Sequence, residues 1–290
     1  MAGFRIGIVA PGSRMDPVVA GRVADLARRL YPGGRLELWF HPQCFEASGH
    51  FAGTDESRAR AFLDVANDER FGALWFGRGG YGACRLTERL LPALGEAARR
   101  KAYLGYSDAG SLLGALYGAG FAAVAHGPMA TDITRTGGEQ AVARALAFLV
   151  DGDPAALEPG LTGTGSVAAF NLTILCHLLG TPWQPDLAGH ELLLEEVSEH
   201  LYRIDRDFCQ LTANPAIRRV AGIRLGRCGD IPDNDPAFGQ TADEIARHWC
   251  ARSGIPYLGP ADIGHDSVNK VVPFGLWRGE RLSSPIGASP

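Results

Sequence analysis

Short apolar runs alternate with longer stretches of helical spacing through the first half of the chain. Phe4-Arg5-Ile6-Gly7-Ile8-Val9-Ala10 is rich in β-branched residues and stops at Pro11-Gly12-Ser13, which predicts a strand entering a loop at its carboxyl end. Over 17–30 the apolar positions Val18, Val19, Val23, Leu26 and Leu30 recur with helical spacing, and Pro32-Gly33-Gly34 ends that helix. The alternation continues with a strand over 36–40, a helix over 56–65, a strand over 73–76 and a helix over about 86–94. A further strand ends just before Ser107, a helix runs from Asp108 onward through Leu112, Leu113 and Leu116, and a strand over 121–125 precedes His126-Gly127-Pro128-Met129. Such alternation implies a parallel sheet covered on both faces.

After a helix over about 139–149, Asp151-Gly152-Asp153-Pro154 and the glycine-rich stretch from Pro159-Gly160 to Gly163-Thr164-Gly165 break the pattern. This sets the expected organisation: an N-terminal α/β domain over 1–150, a linker over 151–165 and a C-terminal domain over 166–290. In the second half a helix is predicted over 171–179, a strand over 191–195, a helix over 201–211, a strand over 219–225 and a helix over 242–251. Short strands around Ile255 and Val271 flank Gly264-His265.

Composition narrows the class. With 46% apolar and 21% charged residues over 290 positions, the chain is that of a soluble globular protein able to bury a full core. A formal charge of −4 gives no basic footprint for nucleic acid or an anionic membrane surface. The start, Met1-Ala2-Gly3-Phe4-Arg5, lacks the head, apolar core and cleavage site of a secretory signal, so a cytoplasmic location is expected. Six scattered cysteines form no C-x-x-C pair, which predicts small core residues in place of a disulfide framework.

Ligands of open parallel sheets bind beyond the carboxyl ends of the strands, and the polar or glycine-rich segments at 11–14, 77–82, 107–108 and 126–129 all leave strand ends on that edge. In Leu104-Gly105-Tyr106-Ser107-Asp108-Ala109-Gly110, Ser107 falls at a strand-to-helix turn, the outline of a nucleophile elbow. That turn presents the hydroxyl and leaves the Asp108 N–H at a helix start, facing a developing oxyanion. The second glycine of G-x-S-x-G is delayed to Gly110, and a helix cap is the competing role for Ser107. A serine nucleophile needs a base, and both His265 in Gly264-His265-Asp266-Ser267 and His126 occupy suitable ends. For the orienting carboxylate Glu195 stands out, because it ends the apolar run Leu192-Leu193-Leu194, with Glu196 and Glu199 as competitors. Gly77-Arg78-Gly79-Gly80-Tyr81-Gly82 lacks the Lys-Ser/Thr ending of a P-loop and suits an oxyanion hole or ligand clamp, with Arg78 either holding an anionic group or forming an ordinary ion pair. No metal-ligand spacing occurs, so neither metal nor cofactor is expected.

Taken in order, Ile6-Gly7-Ile8-Val9-Ala10-Pro11, Arg78-Gly79-Gly80-Tyr81-Gly82, Leu104-Gly105-Tyr106-Ser107-Asp108, His126-Gly127-Pro128-Met129, Gly180-Thr181-Pro182, Leu194-Glu195-Glu196-Val197 and Gly264-His265 with Asn269 and Val272-Pro273-Phe274-Gly275 resemble the LD-carboxypeptidase family of serine peptidases. That family includes the microcin C self-immunity peptidases. The resemblance implies an N-terminal parallel-sheet domain of flavodoxin-like or glutamine-amidotransferase-like build and a smaller β-rich α/β domain. It further implies Ser107 as nucleophile, His265 as base and Glu195 as the orienting carboxylate, meeting across the domain interface. The oxyanion hole would be the backbone of Asp108, Gly79 and Gly80. The substrate would be a small murein tetrapeptide, and the protein a homodimer. Two departures stand out: Ala169-Phe170-Asn171-Leu172 replaces Gly-Gly-Asn-Leu, placing the bulk of Phe170 beside the expected pocket, and Glu196 replaces an aspartate. The segment between Leu225 and Ala242 is also short.

Overall fold

Residues 3–276 are described by the computed structural model, and they form two sheets. The first half contributes β1 (Phe4–Val9), α1 (Pro17–Leu30), β2 (Leu36–Phe40), α2 (Asp55–Ala66), β3 (Ala73–Phe76), the short α3 (Thr87–Leu90) and α4 (Glu96–Arg99), β4 (Ala102–Gly105), α5 (Gly110–Gly118), β5 (Val124–His126) and α6 (Gly138–Leu146). The second half contributes β6 (Val167–Asn171), α7 (Leu172–Leu178), β7 (Glu191–Val197), α8 (Leu201–Ala213), β8 (Gly222–Gly229), α9 (Ala242–Ser253), β9 (Tyr257–Pro260) and β10 (Val272–Pro273). Six strands in the order β10-β5-β4-β3-β1-β2 make one sheet and β6-β7-β8-β9 the other. All pairings are parallel except β10, which runs antiparallel to β5 with Val272 opposite His126.

Local chemistry accounts for these elements. α1 begins where Asp16 accepts a hydrogen bond from the Val18 N–H at 2.8 Å, with Pro17 in the first turn where its missing N–H costs nothing. β7 is buried on both faces through Leu192, Leu193 and Leu194, as an inner strand of a helix-covered parallel sheet must be.

Several boundaries differ from those read in the sequence. The helix expected over 86–94 breaks into the turn Ala83–Leu86, α3 and the turn Leu91–Ala93, because Pro92 cannot donate to a continuing helix. Asn171, read as helical, is the last residue of β6 and caps α7, its side chain accepting from the Ile174 N–H at 3.1 Å. The strand was missed because Ala168 and Ala169 carry little strand signal. The strand expected over 219–225 starts later, after the turn Ile217–Arg219, and runs on to Gly229. Cysteines are less uniformly internal than expected: Cys44, Cys176 and Cys250 are buried, whereas Cys84 and Cys209 are exposed, and all six are free.

One core cluster spans both halves. Leu112 and Leu113 of α5 belong to the same buried cluster as Phe170 of β6, Leu192 and Leu194 of β7 and Phe208 of α8. Phe170, 1% exposed, packs its ring 5.0 Å from that of Phe274, so the bulk expected beside the pocket is core instead. The stretch between the halves is anchored: Glu158, 2% exposed, accepts from Arg224 Nη1 at 2.9 Å and Nη2 at 2.7 Å. Residues 261–271 leave β9 in one sheet and enter β10 in the other, and they carry His265 between them.

Candidate active site

Ser107 stands immediately beyond β4, at the carboxyl edge of the first sheet. Gly105, the last residue of that strand, leaves no room for a side chain, since a Cβ there would lie 2.4 Å from Phe76 Cδ2. Ser107 itself has φ of 59°, the left-handed region that non-glycine residues enter at a cost of about 1–3 kcal/mol. A strained serine at a strand-to-helix turn is the backbone signature of a nucleophile elbow. The competing role of helix cap does not survive, since neither the turn Ser107–Ala109 nor α5 has a side-chain cap.

Around this turn the donors are backbone amides. The Asp108 N–H lies in the first helical turn, where no intrahelical acceptor is available. A Cβ on Gly79 would be 3.3 Å from Ser107 Oγ and 3.1 Å from Ser107 Cβ, so only glycine lets the 77–82 loop approach this closely. Among the described residues the Gly79 and Gly80 N–H groups have no hydrogen-bond partner. Arg78 is exposed and gives one N–H to the Arg14 carbonyl at 2.9 Å, leaving its other donors outward. Burial raises the Asp108 carboxyl above its ordinary range, only partly offset by the charges of His265, His177 and His50.

Glu195 and His265, seventy residues apart, are joined. His265 Nδ1 donates to Glu195 Oε2 at 2.5 Å, and both side chains are almost completely buried. Burial, the largest single influence on His265, pushes its pKa down, but the Glu195 charge and hydrogen bond outweigh it and the net shift is upward. Among the described residues Glu195 Oε1 has no hydrogen-bond partner. The two carboxylate competitors are placed elsewhere: Glu196 accepts from Asn171 Nδ2 at 2.6 Å and from Thr173 Oγ1 at 2.7 Å, and Glu199 pairs with Arg203 at 2.8 Å.

The structure also separates the two histidines that sequence spacing left level. His126 is 1% exposed, its Nε2 donates to Asn269 Oδ1 at 3.2 Å, and burial drops its pKa to about 4. It is a neutral support for the His265 loop, because the same Asn269 oxygen accepts from the Gly264 N–H at 3.2 Å.

Tyr106 is a neighbour of the candidate site that sequence reasoning passed over. Its hydroxyl donates to Asp132 Oδ1 at 2.8 Å and its ring lies 4.8 Å from the His265 ring. The residue preceding Ser107 therefore touches the imidazole directly. The Ser107 hydroxyl itself forms no hydrogen bond with any described residue, His265 included. Unclosed nucleophile–base contacts are common before substrate binds. Among the described residues no cluster of three or more His, Cys, Asp or Glu side chains could hold a metal ion.

Comparison with known proteins places the chain. The LD-carboxypeptidase N-terminal domain family matches residues 6–127 and the LD-carboxypeptidase C-terminal domain family matches residues 164–278. A putative carboxypeptidase of Synechocystis is 32% identical over 286 residues, covering 94% of this chain and 90% of that protein. The chain belongs to the LD-carboxypeptidase family. Within this peptidase family, the murein tetrapeptide carboxypeptidase of Pseudomonas aeruginosa is 29% identical, with 96% of this chain and 94% of that protein covered. The LD-carboxypeptidase fold itself is matched by muramoyltetrapeptide carboxypeptidase from Oxalobacter formigenes, with a TM-score of 0.75, 23% identity and coverage of 93% and 92%. The microcin C7 self-immunity protein MccF, solved without ligand, matches with a TM-score of 0.77, 18% identity and coverage of 95% and 92%. At these identities the two solved structures speak for the fold alone.

Proposed function

We propose that this protein is a serine carboxypeptidase that hydrolyses the bond between the L-configured centre of meso-diaminopimelate, or L-lysine, and the terminal D-alanine of murein tetrapeptides. Ser107 Oγ attacks the scissile carbonyl carbon as His265 Nε2 takes its proton. Glu195 holds the imidazole in the tautomer with Nδ1 protonated and stabilises the imidazolium as it forms. The oxyanion is met by the N–H groups of Asp108, Gly79 and Gly80. His265 then returns the proton to the departing amine of D-alanine, and water, deprotonated by the same imidazole, releases the acyl-enzyme. Arg78 offers its outward donors to an anionic group of the peptide.

The observation that carries this reading is the buried Glu195–His265 hydrogen bond at 2.5 Å, one ring contact away from the Ser107 turn. Ser107→Ala is expected to cut turnover of a murein tetrapeptide by several orders of magnitude. Full turnover by a folded Ser107→Ala protein would rule the mechanism out. A parallel assay on an aminoacyl-sulfamoyl adenylate tests the substrate: preference for it over the tetrapeptide replaces murein with a peptidyl-nucleotide. We propose in addition a homodimer located in the cytoplasm, and light scattering of the purified protein tests the first of these.

A further inference from the structure

We propose that Arg227 is a positioning residue that aligns His265 with Glu195, acting through an irregularity in β8 that seats both partners at once. The inference rests on the reading above, in which this pair serves Ser107.

β7 and β8 fall out of step over a single residue. Leu194 pairs with Leu225 and Glu196 with Cys228, so Gly226 and Arg227 both lie opposite Glu195. An insertion of this kind bends the strand and re-aims the side chains beside it. Gly226 is the point of closest approach: a Cβ there would stand 3.1 Å from Glu195 Cβ and 2.7 Å from the Ile263 carbonyl oxygen. The backbone behind Glu195 and the stem of the His265 loop are thereby pressed together.

Arg227 then grips that loop. Its backbone N–H donates to the Ile263 carbonyl at 2.8 Å. Its guanidinium spans the loop, with Nη1 on Asp262 Oδ1 at 2.6 Å, Nη2 on Asp266 Oδ1 at 2.9 Å and Nε on Asp266 Oδ2. Asp266 adjoins His265 in the chain. Between the two anchored carboxylates the arginine stem covers Gly264, where a Cβ would lie 3.0 Å from Arg227 Cβ and 3.1 Å from Nε. From the opposite side Arg144 of α6 donates to the carbonyls of Ser267 at 3.1 Å and Asn269 at 2.9 Å.

Isolated ion pairs at such half-exposed sites add little to stability. This set differs because a planar fork fixes two carboxylates that flank His265 in the chain, geometry that a lysine ammonium cannot reproduce. An error of about 1 Å in a catalytic group can cost on the order of a hundredfold in rate, so the return from the clamp lies in kcat.

The test uses the full chain with Arg227→Met, Arg227→Lys and Asp266→Asn. Arg227→Met is expected to lower kcat roughly ten- to a hundredfold with KM unchanged, and Arg227→Lys to recover only part of the loss. Proton NMR supplies a readout that general destabilisation does not move. The strongly downfield Nδ1–H resonance of His265, the mark of its hydrogen bond to Glu195, weakens or shifts in Arg227→Met while the amide spectrum remains that of a folded protein. If Arg227→Met does not fold, Arg227→Lys and Asp266→Asn provide the same two readouts. Wild-type kcat together with an unchanged downfield resonance in the folded variants overturns the inference. Ser107→Ala, run alongside, keeps the questions apart: retained turnover there removes the serine mechanism, whereas an inactive Ser107→Ala beside fully active Arg227 variants removes only the role of Arg227.

Discussion

The ring of Tyr106 lies 4.8 Å from the ring of His265, centroid to centroid, with the planes inclined at 54°. Tyr106 is the last residue before Ser107, so the turn that presents the hydroxyl and the loop that presents the imidazole rest on each other without an intermediary. Its own hydroxyl is fixed by Asp132, which also accepts from the Met129 N–H at 2.8 Å. Tyr106→Phe, keeping the ring, should retain most activity and lose about 1 kcal/mol of stability with the hydrogen bond. Tyr106→Ala should lose about 3–5 kcal/mol and fall much further in kcat. Equal kcat losses in the two variants, measured alongside their unfolding curves, would show that the ring does not seat the imidazole.

The φ of 59° at Ser107 makes a different kind of prediction, because it concerns a cost that the folded chain bears for the sake of a site. Glycine adopts this conformation freely and alanine does not. Ser107→Gly should therefore be more stable than Ser107→Ala by about 1 kcal/mol, although both lack the proposed nucleophile. Urea titrations of the two proteins compare them directly, and a less stable glycine variant would contradict the strain.

The pKa values of His265 and His126 are shifted in opposite directions. His265 has its pKa raised above the ordinary 6.5, so the stability it contributes is fully present below that value and is lost as pH climbs through the raised one. Since His265, as the proposed base, must be neutral to work, the acidic limb of kcat/KM should fall above pH 6.5, and Glu195→Gln should move it lower as well as slowing the reaction. His126, held near 4, contributes stability that is present above 6.5 and is lost as pH falls from there toward 4. His126→Gln should accordingly lose less of its melting temperature between pH 7 and pH 4.5 than the parent does. A steeper loss in the variant would mean that His126 is already charged in the folded protein.

Gly226→Ala should disturb the site, while Gly229→Ala on the same strand should not. A Cβ at 226 would press within 2.6 Å of Ile263 Cγ1, whereas at 229 nothing lies within 4 Å. Crowding of this kind typically costs about 1–3 kcal/mol, and here it would also push Glu195 and the His265 stem apart. Matching melting temperatures and activities for the two variants would argue that the strand yields without effect.

Much of this was legible in the residues, and the parts that were not share a cause. Strand-to-helix periodicity located the Ser107 turn, and the polar end of an apolar run picked out Glu195, because both depend on near neighbours in the chain. What spacing could not rank, and only the family resemblance did, was His126 against His265; the three-dimensional position of Asn269, bonded to His126 and to the Gly264 N–H, supplies a physical reason why His126 is a support. Tyr106 received no role of its own in the sequence, because its contact with a ring 159 positions later has no local signature. The same holds for Phe170, whose bulk left the shape of the pocket open but whose ring closes the core against Phe274. The insertion in β8 escaped notice because Gly226-Arg227 interrupts no periodic pattern; it exists only relative to β7.

The segment carrying His265 starts from one sheet and finishes in the other, with β9 behind it and β10 ahead. Its imidazole is thus a gauge of the spacing between the halves: if either sheet loosens, the histidine is dragged off station although the opposite half is still intact. Catalysis should consequently fade no later than the earlier of the two sheets in a denaturant series, which makes hydrolysis a more sensitive reporter of partial opening than any spectroscopic average over the whole molecule.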